Sequence, residues 1–137
     1  MYPTDVVLPM KAQLINNGFD DLNTPEKVEN ALKQSGTTLL VINSVCGCAA
    51  GSARPGALLS LTESRKKPDH LTTSFAGFDI EAVKTAREHL VPFPPSSPSI
   101  ALFKDGELVH FLERHHIEGN SAELIAENLQ QAYEEFC

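Results

Sequence analysis

Residues 37–43 read TTLLVIN, a run whose central positions are all apolar. A strand with one buried face alternates apolar and polar side chains, whereas a run that is apolar on both faces is typical of a parallel strand covered by helices. The next stretch, VCGCAAG at 45–51, leads into a predicted helix over 49–64. A buried strand that passes directly into a helix favours an α/β architecture.

Helix and strand signals along the whole chain follow the order ααβαβαββα. Lys104-Asp105-Gly106 is a hairpin turn signal between two short apolar runs. Pro9 lies in the first turns of the first helix and predicts a late start or a kink, and Asp79 is the predicted N-cap of the fourth helix. The predicted helices cover 5–16, 25–35, 49–64, 79–89 and 121–136, and the predicted strands cover 37–43, 70–76, 99–103 and 107–113. This order predicts a mixed sheet with helices on both faces, in a single domain of residues 1–137.

Charge and composition exclude several classes of function. The net charge of −7 argues against nucleic acid as a partner. Because there is no charged-then-apolar leader and no run of 18 apolar residues, we expect no signal peptide, no membrane span and a cytoplasmic location. Cytoplasmic thiols are kept reduced, and three cysteines are an odd number. Catalytic or metal-binding cysteines are therefore favoured over a disulfide framework.

Cys46 and Cys48 stand between the buried strand and the start of the next helix. The unpaired N–H groups and the dipole of a helix N-terminus stabilise an anion, and cysteines placed there have pKa values of about 3.5–7.5 instead of about 8.5. Cys46 is placed at the helix start. It is therefore predicted to be the more acidic thiol and the nucleophile, with Cys48 as the resolving thiol.

A single residue, Gly47, separates the two cysteines. In a regular helix the side chains of residues i and i+2 point in roughly opposite directions, so a Cys46–Cys48 disulfide requires a distorted first turn, which glycine permits. A strained bridge is easier to reduce and more oxidising. The spacing therefore predicts an acceptor, exchanger or isomerase of disulfides, and not a strong reductant.

Two resemblances to known families make the interpretation of fold and site more specific. SPSIALFKDGE at 97–107 resembles the thioredoxin signature of a cis-proline, a strand and a Lys-x-Gly-Glu turn. More narrowly, the chain resembles the bacilliredoxin family, whose mark is a Cys-Gly-Cys active site, from its N-terminal PM at 9–10 to Cys137. The stretches that carry this likeness are TTLLVINSVCGCAAGSARPG at 37–56, PSSPSIALFKDGELVHF at 95–111 and RHHIEG at 114–119. The resemblance implies a thioredoxin-like three-layer sandwich with a central mixed sheet, helices on both faces and an extra N-terminal helix.

The resemblance also implies an activity. Family members are thiol–disulfide oxidoreductases that remove bacillithiol, a low-molecular-weight thiol, from oxidised proteins. Cys46 would attack the mixed disulfide and take over the bacillithiol, and free bacillithiol or Cys48 would discharge it. Ser97–Pro98 matches the cis-proline position, and Gly47, Ser97 and Pro98 are the implied substrate-binding residues. Bacillithiol is then a co-substrate, no cofactor or metal is needed, and the partners are S-bacillithiolated or disulfide-containing proteins.

Leu40 departs from the pattern of general thioredoxins, which carry a buried acid six residues before the first cysteine. Proton transfer involving Cys48 must therefore use water or another group, which fits an enzyme whose main step needs only Cys46. Near the cysteines, Asn43 and Ser44 are predicted to end the strand, although either could donate a hydrogen bond to Cys46. Arg54-Pro55 predicts a helix kink and not an anion site.

Other interpretations stay open. The protein could be a disulfide isomerase of general specificity, a non-catalytic binding module, or a metal or iron–sulfur protein in which Cys46, Cys48 and a histidine are ligands. His115 and His116 are predicted at a strand end, where their side chains point to opposite faces into solvent, although one could orient or protonate a thiol. Cys137 is predicted to be an exposed terminal thiol.

Overall fold

The structure, a computed structural model, describes residues 1–62 and 64–137. It consists of a five-stranded sheet with helices on both faces. The elements in chain order are α1 (Thr4–Ile15), β1 (Asp20–Asp21), α2 (Pro25–Lys33), β2 (Thr37–Asn43), a π-helical turn (Ala49–Ala53), α3 (Arg54–Ser60), β3 (His70–Phe75), α4 (Ile80–Glu88), β4 (Ser99–Lys104), β5 (Glu107–Leu112), α5 (Arg114–Ile117) and α6 (Ala122–Phe136). The strand order is β1-β3-β2-β4-β5. The first three of these run parallel, and β4 and β5 continue the sheet antiparallel.

The central strand β2 is buried at all seven positions because helices cover both of its faces. Leu39 and Val41 pack into one core with residues of α1, α3 and α6. Leu40 and Ile42 point the other way and pack with residues of α2 and α4. This alternation is what a strand imposes on successive side chains. The predicted α/β class, the mixed sheet and the three layers are therefore confirmed.

The N-terminal helix α1 is attached at the carboxyl end of β2. The side chain of Asn43, the last residue of β2, donates a hydrogen bond to the backbone carbonyl of Met10 (3.2 Å). Lys11 is buried and its Nζ lies 2.9 Å from a carboxylate oxygen of both Asp21 and Asp79. The helix begins before Pro9, so the predicted late start is wrong.

Some local predictions fail where long-range contacts decide the structure. The two-residue strand β1 was not predicted, since Asp20 and Asp21 have no apolar pattern and form a strand only by parallel pairing with Thr72 and Thr73. Asp79 takes the predicted N-cap position of α4, but its side chain makes no capping hydrogen bond there. Its carboxylate instead accepts hydrogen bonds from Lys11 Nζ and from the backbone N–H of Phe75.

The segment that follows the cysteines and the segment that follows β5 also differ from the prediction. The helix expected over 49–64 is a π-helical turn followed by an α-helix that ends at Ser60, and Glu63 lies outside the described residues. The strand expected to reach residue 113 ends at Leu112 and is followed by the single helical turn α5. Within residues 1–62 and 64–137, no helix combines the length and the apolar character that a bilayer crossing requires.

Candidate active site

Cys46 and Cys48 lie in the short connection between β2 and the π-helical turn, and their Sγ atoms are 2.6 Å apart. Both residues are half-buried, and Gly47 between them is exposed, with nothing within 4 Å of the place a Cβ would take. The two sulfurs can therefore pass a proton between them, and the open surface at Gly47 leaves room for an approaching chain.

The backbone around the two cysteines departs from a regular α-helix. The N–H groups of Ala49 and Ala50 both donate to the carbonyl of Cys46, at 3.1 and 3.2 Å. The following turn is wide, because the N–H of Arg54 donates to the carbonyl of Ala49, five residues earlier. Such π-helical insertions occur frequently at functional sites. The π-helical distortion lies after the two cysteines, at Ala49–Ala53, and not between them.

The surroundings of Cys46 favour its thiolate. Partial burial by itself raises the pKa of a thiol, but hydrogen bonds from the Cys48 thiol, the Ser44 hydroxyl and the backbone N–H groups of Ala49 and Cys48 outweigh it and lower the pKa of Cys46. The N–H of Ala49 is shared between this sulfur and the carbonyl of Cys46. The shift has the direction predicted from the sequence.

Cys48 is shifted the other way. Burial, the hydrogen bond to Cys46 and the negative charge of that thiolate raise the pKa of Cys48, and the positive charge of Arg114 only partly offsets them. The two thiols titrate as a pair, so the proton leaves Cys46 first and Cys48 holds the second proton. Near neutral pH the geometry therefore favours one nucleophile and one thiol donor.

We predict that iodoacetamide labels Cys46 much faster than Cys48 or Cys137 in the native protein. Below both pKa values, one unit of difference in pKa changes the thiolate fraction about tenfold, and burial raises the pKa of Cys137 as well. Peptide mapping after brief labelling between pH 5 and pH 9 measures the three rates. Labelling of the denatured chain is the control, in which the three rates should converge. Equal native rates at Cys46 and Cys48 would contradict the assignment.

Arg54 is a buried cation behind the cysteines that the sequence reading missed, since Arg54-Pro55 was interpreted as a kink. It is 3% exposed. Its guanidinium donates to Gln13 Oε1 (2.6 Å), Asn43 Oδ1 (2.9 Å) and the carbonyl of Ser44 (2.8 Å). None of these acceptors carries a charge. Burial lowers the pKa of Arg54, and the charge of the Cys46 thiolate opposes that shift, so guanidinium and thiolate attract each other.

Asn43 and Ser44 thus do more than end β2. Asn43 Oδ1 accepts hydrogen bonds from both Arg54 and the backbone N–H of Ser44 (2.8 Å). Ser44 Oγ accepts from the backbone N–H of Cys46 (3.4 Å). A chain of polar contacts therefore runs from the buried guanidinium to the nucleophile and fixes the turn in which the nucleophile lies.

We predict that Arg54→Met lowers the free energy of unfolding by about 1–3 kcal/mol, because the buried carbonyl of Ser44 loses its donor. The Asn43 side chain keeps its second partner and the exposed Gln13 can bond to water. Urea unfolding measures the loss. The matched control is Arg65→Met, at a side chain that is 85% exposed, where a change within about 0.5 kcal/mol is expected. Equal stability of the two variants would show that the buried contacts contribute little.

The cis-proline segment lies at the same end of the sheet as the cysteines. The Ser97–Pro98 peptide bond is cis, as the resemblance implies, and Pro98 is buried. Because Ile42 pairs with Ser99 in the antiparallel register of β2 and β4, Pro98 lies across from Asn43, three residues before Cys46. The roles of Gly47, Ser97 and Pro98 in substrate binding stay a prediction. The Val91–Pro92 bond is also cis and was not predicted.

His115 and His116 lie on the helical turn α5, and the prediction that they end a strand is wrong. Their ring centroids are 4.0 Å apart. His116 Nδ1 accepts from the backbone N–H of Glu113 (3.0 Å), and the Glu113 side chain accepts from the backbone of His116. Among the described residues, Glu113, His115 and His116 are the one trio of potential metal ligands within 4.8 Å of one another. No histidine of the described residues thus joins the two cysteines in such a cluster, and Glu113 and His116 form a reciprocal helix cap.

Cys137 lies far from the paired cysteines. It is half-buried and packs against the core, and its thiol lies beside Thr37, the first residue of β2. The prediction of an exposed terminal thiol is therefore wrong. Because Cys46 follows the other end of this seven-residue strand, about 20 Å separates the two ends.

Arg114, the first residue of α5, is a second cation that sequence reasoning missed. Its Nη1 donates to the carbonyl of Ser97 (3.1 Å) and its backbone N–H to Ser96 Oγ (3.3 Å). Its positive charge is attracted to the charges of both Cys48 and Cys46. The motif RHHIEG contains this arginine, but only the fold places it beside residues 46–48.

Solved thioredoxins share this fold. Thioredoxin O2 of Arabidopsis thaliana in the oxidised state superposes with a TM-score of 0.61 at 16% identity, over 86% of this chain and 96% of that chain. Mitochondrial thioredoxin 3 of Saccharomyces cerevisiae gives a TM-score of 0.56 at 17% identity, over 85% and 94%. At such identities the likeness establishes the fold alone. The chain therefore has a thioredoxin-like fold, with two paired thiols after its central strand.

Sequence relatives identify the family. The family described as disulphide isomerase matches residues 2–137. A bacilliredoxin of Cytophaga hutchinsonii is 62% identical, over 98% of this chain and 99% of its own length. Bacilliredoxins of Halalkalibacterium halodurans and Bacillus cereus are 55% and 50% identical, each over 99% of this chain. The chain belongs to the bacilliredoxin family.

Proposed function

We propose that this protein removes bacillithiol from S-bacillithiolated proteins, with Cys46 as the nucleophile and Cys48 as the internal resolving thiol. The observation that carries the proposal is the opposite shift of two adjacent thiols, a lowered pKa at Cys46 and a raised pKa at Cys48. Membership of the bacilliredoxin family supports bacillithiol as the thiol that is removed.

The first step is a thiol–disulfide exchange. The Cys46 thiolate attacks the bacillithiol sulfur of the mixed disulfide, a new S–S bond forms on Cys46, and the S–S bond to the substrate protein breaks. The substrate cysteine leaves as a thiolate and takes up a proton. No electron is gained or lost overall, because one disulfide replaces another. A thiolate attacks faster than a thiol, which is why the lowered pKa of Cys46 matters.

The second step frees Cys46 by either of two routes. Cys48, deprotonated, attacks the Cys46 sulfur, expels bacillithiol and leaves a Cys46–Cys48 disulfide that two electrons from a thiol reductant must reopen. Alternatively, free bacillithiol attacks the bacillithiol sulfur and leaves as bacillithiol disulfide. For the internal route Cys48 has to lose its proton, and Leu40, fully buried in the core, cannot accept it. Water at the half-exposed Cys48 is the acceptor.

A second candidate function is disulfide isomerisation of general specificity, which the description of the matching family favours. An isomerase also needs an acidified nucleophile, but its substrate is a mispaired protein disulfide and its cycle ends without net reduction. The two functions thus differ in the substrate, not in the first attacking atom.

The test uses one carrier protein with a single cysteine, modified either with bacillithiol or with glutathione. We predict that the wild-type protein releases bacillithiol at least about tenfold faster than it releases glutathione. This ratio corresponds to a difference of about 1.4 kcal/mol in transition-state binding. Intact-mass spectrometry follows both adducts, and the modified carrier alone is the control. Equal release of both thiols would remove the bacillithiol assignment. Recovery of a scrambled disulfide protein without release of bacillithiol would favour the isomerase.

A further inference from the structure

Arg114 is held beside the cysteines by contacts that leave part of its guanidinium unused. Nη1 is fixed by the carbonyl of Ser97 at 3.1 Å, and Nε lies 3.2 Å from Glu118 Oε2. Nη2 makes no hydrogen bond to the part of the chain that the structure describes. The side chain is 42% exposed, so two N–H donors point into solvent from a fixed position.

The position of this guanidinium relates it to the sulfur chemistry. Ser97 precedes the cis peptide bond at Pro98, at the sheet end where residues 46–48 lie, and the cation is attracted to charge on both Cys46 and Cys48. An organic thiol bonded to the Cys46 sulfur would extend from this place over the same surface. The chain as a whole carries a net charge of −7 and would repel an anionic thiol without a local cation.

We propose that Arg114 binds a carboxylate of the thiol that Cys46 takes over as a mixed disulfide, so that the site selects anionic thiols. The inference rests on the proposed function, because it concerns the thiol accepted in that exchange. A guanidinium presents parallel N–H donors that match the two oxygens of a carboxylate. The exposed Glu118 carboxylate competes for the same cation and moderates the selectivity.

The experiment compares two adducts on one cysteine peptide that differ only in charge, 3-mercaptopropionate and its neutral amide, 3-mercaptopropanamide. The wild-type protein should remove the propionate adduct about tenfold faster than the amide adduct. Arg114→Gln should remove both at similar rates, chiefly by slowing the propionate reaction. Arg114→Lys, a point charge without the planar fork, should retain part of the preference. The matched control Arg65→Gln should keep the wild-type ratio.

A substitution at Glu118, the carboxylate that competes for Arg114, tests the proposal independently. Glu118→Gln removes the competing carboxylate from an exposed position, so folding is not at risk, and the propionate-to-amide ratio should rise about two- to threefold. High salt should lower the ratio in the wild type, since it screens an exposed charge pair.

The outcomes separate this inference from the proposed function. If the wild type strips bacillithiol from a protein yet shows no preference between the two adducts, the role of Arg114 is overturned and the function stands. The role is also overturned if Arg114→Gln slows both adducts equally, which would mean that the arginine only positions Ser97 or Cys48. A wild type that exchanges neither adduct nor bacillithiol overturns the proposed function and this inference with it.

Discussion

A Cys46→Ala variant is expected to leave the bacillithiol adduct of a substrate protein unchanged. Cys46 is the thiol whose pKa the structure lowers. In the variant, Cys48 loses the hydrogen bond and the charge of Cys46 that raise its pKa, but burial still raises it. A thiol near its ordinary pKa of about 8.5 is mostly protonated near neutral pH and attacks poorly. Intact-mass spectrometry of a bacillithiolated protein mixed with the variant measures the result directly, because every release removes the mass of one bacillithiol. The expected rate is that of the uncatalysed control.

The matched control is Cys137→Ala. This third thiol is half-buried at the amino end of β2, so its removal should leave the release rate at the wild-type value. Continued release by Cys46→Ala would reverse the assigned roles of the two paired cysteines. Loss of release in Cys137→Ala would show that the C-terminal thiol takes part in the reaction. It would contradict the inference that Cys137 is too far from Cys46 to do so.

The fold was predictable because its central strand carries the whole pattern. In TTLLVIN, Leu39 and Val41 pack against one helix layer and Leu40 and Ile42 against the other. The apolar residues of this one segment therefore indicate that helices cover both faces of the sheet. The edge strand β1 shows the opposite case. Asp20 and Asp21 pair with β3 only after the sheet has formed, and no local signal in two acidic residues indicates it.

The sequence predicted the contacts between neighbouring residues of the site, but not those between residues distant in sequence. Position at a helix start indicated the acidity of Cys46, since the N–H groups that stabilise it belong to the next two or three residues. Arg54 and Arg114 were missed because their roles depend on approach from elsewhere. Arg54 contacts Ser44, ten residues earlier in sequence, and Arg114 contacts Ser97, seventeen residues earlier. Hydrophobic periodicity carries no information about such polar contacts.

A Cys48→Ala variant is expected to strip the substrate once and then keep the bacillithiol as a stable mixed disulfide on Cys46. The nucleophile is present, but the internal thiol that would expel the adduct is gone. The variant should therefore gain the mass of one bacillithiol, hold it, and lose it when free thiol is added. Mass spectrometry of the variant and of its substrate measures both halves of the exchange.

The rate of that single turnover also tests the hydrogen bond between the two thiols. The bond from Cys48 is the strongest of the contacts that lower the pKa of Cys46, so Cys48→Ala should raise that pKa and shift the rate profile to higher pH. Cys48→Ser retains a donor but cannot form a disulfide. It should trap the same adduct with a pH profile closer to that of the wild type. If neither variant strips the substrate or gains an adduct, the two cysteines act only together, as in an isomerase or a metal site. If both variants strip the substrate and release bacillithiol at the wild-type rate without added thiol, Cys48 is not the resolving group.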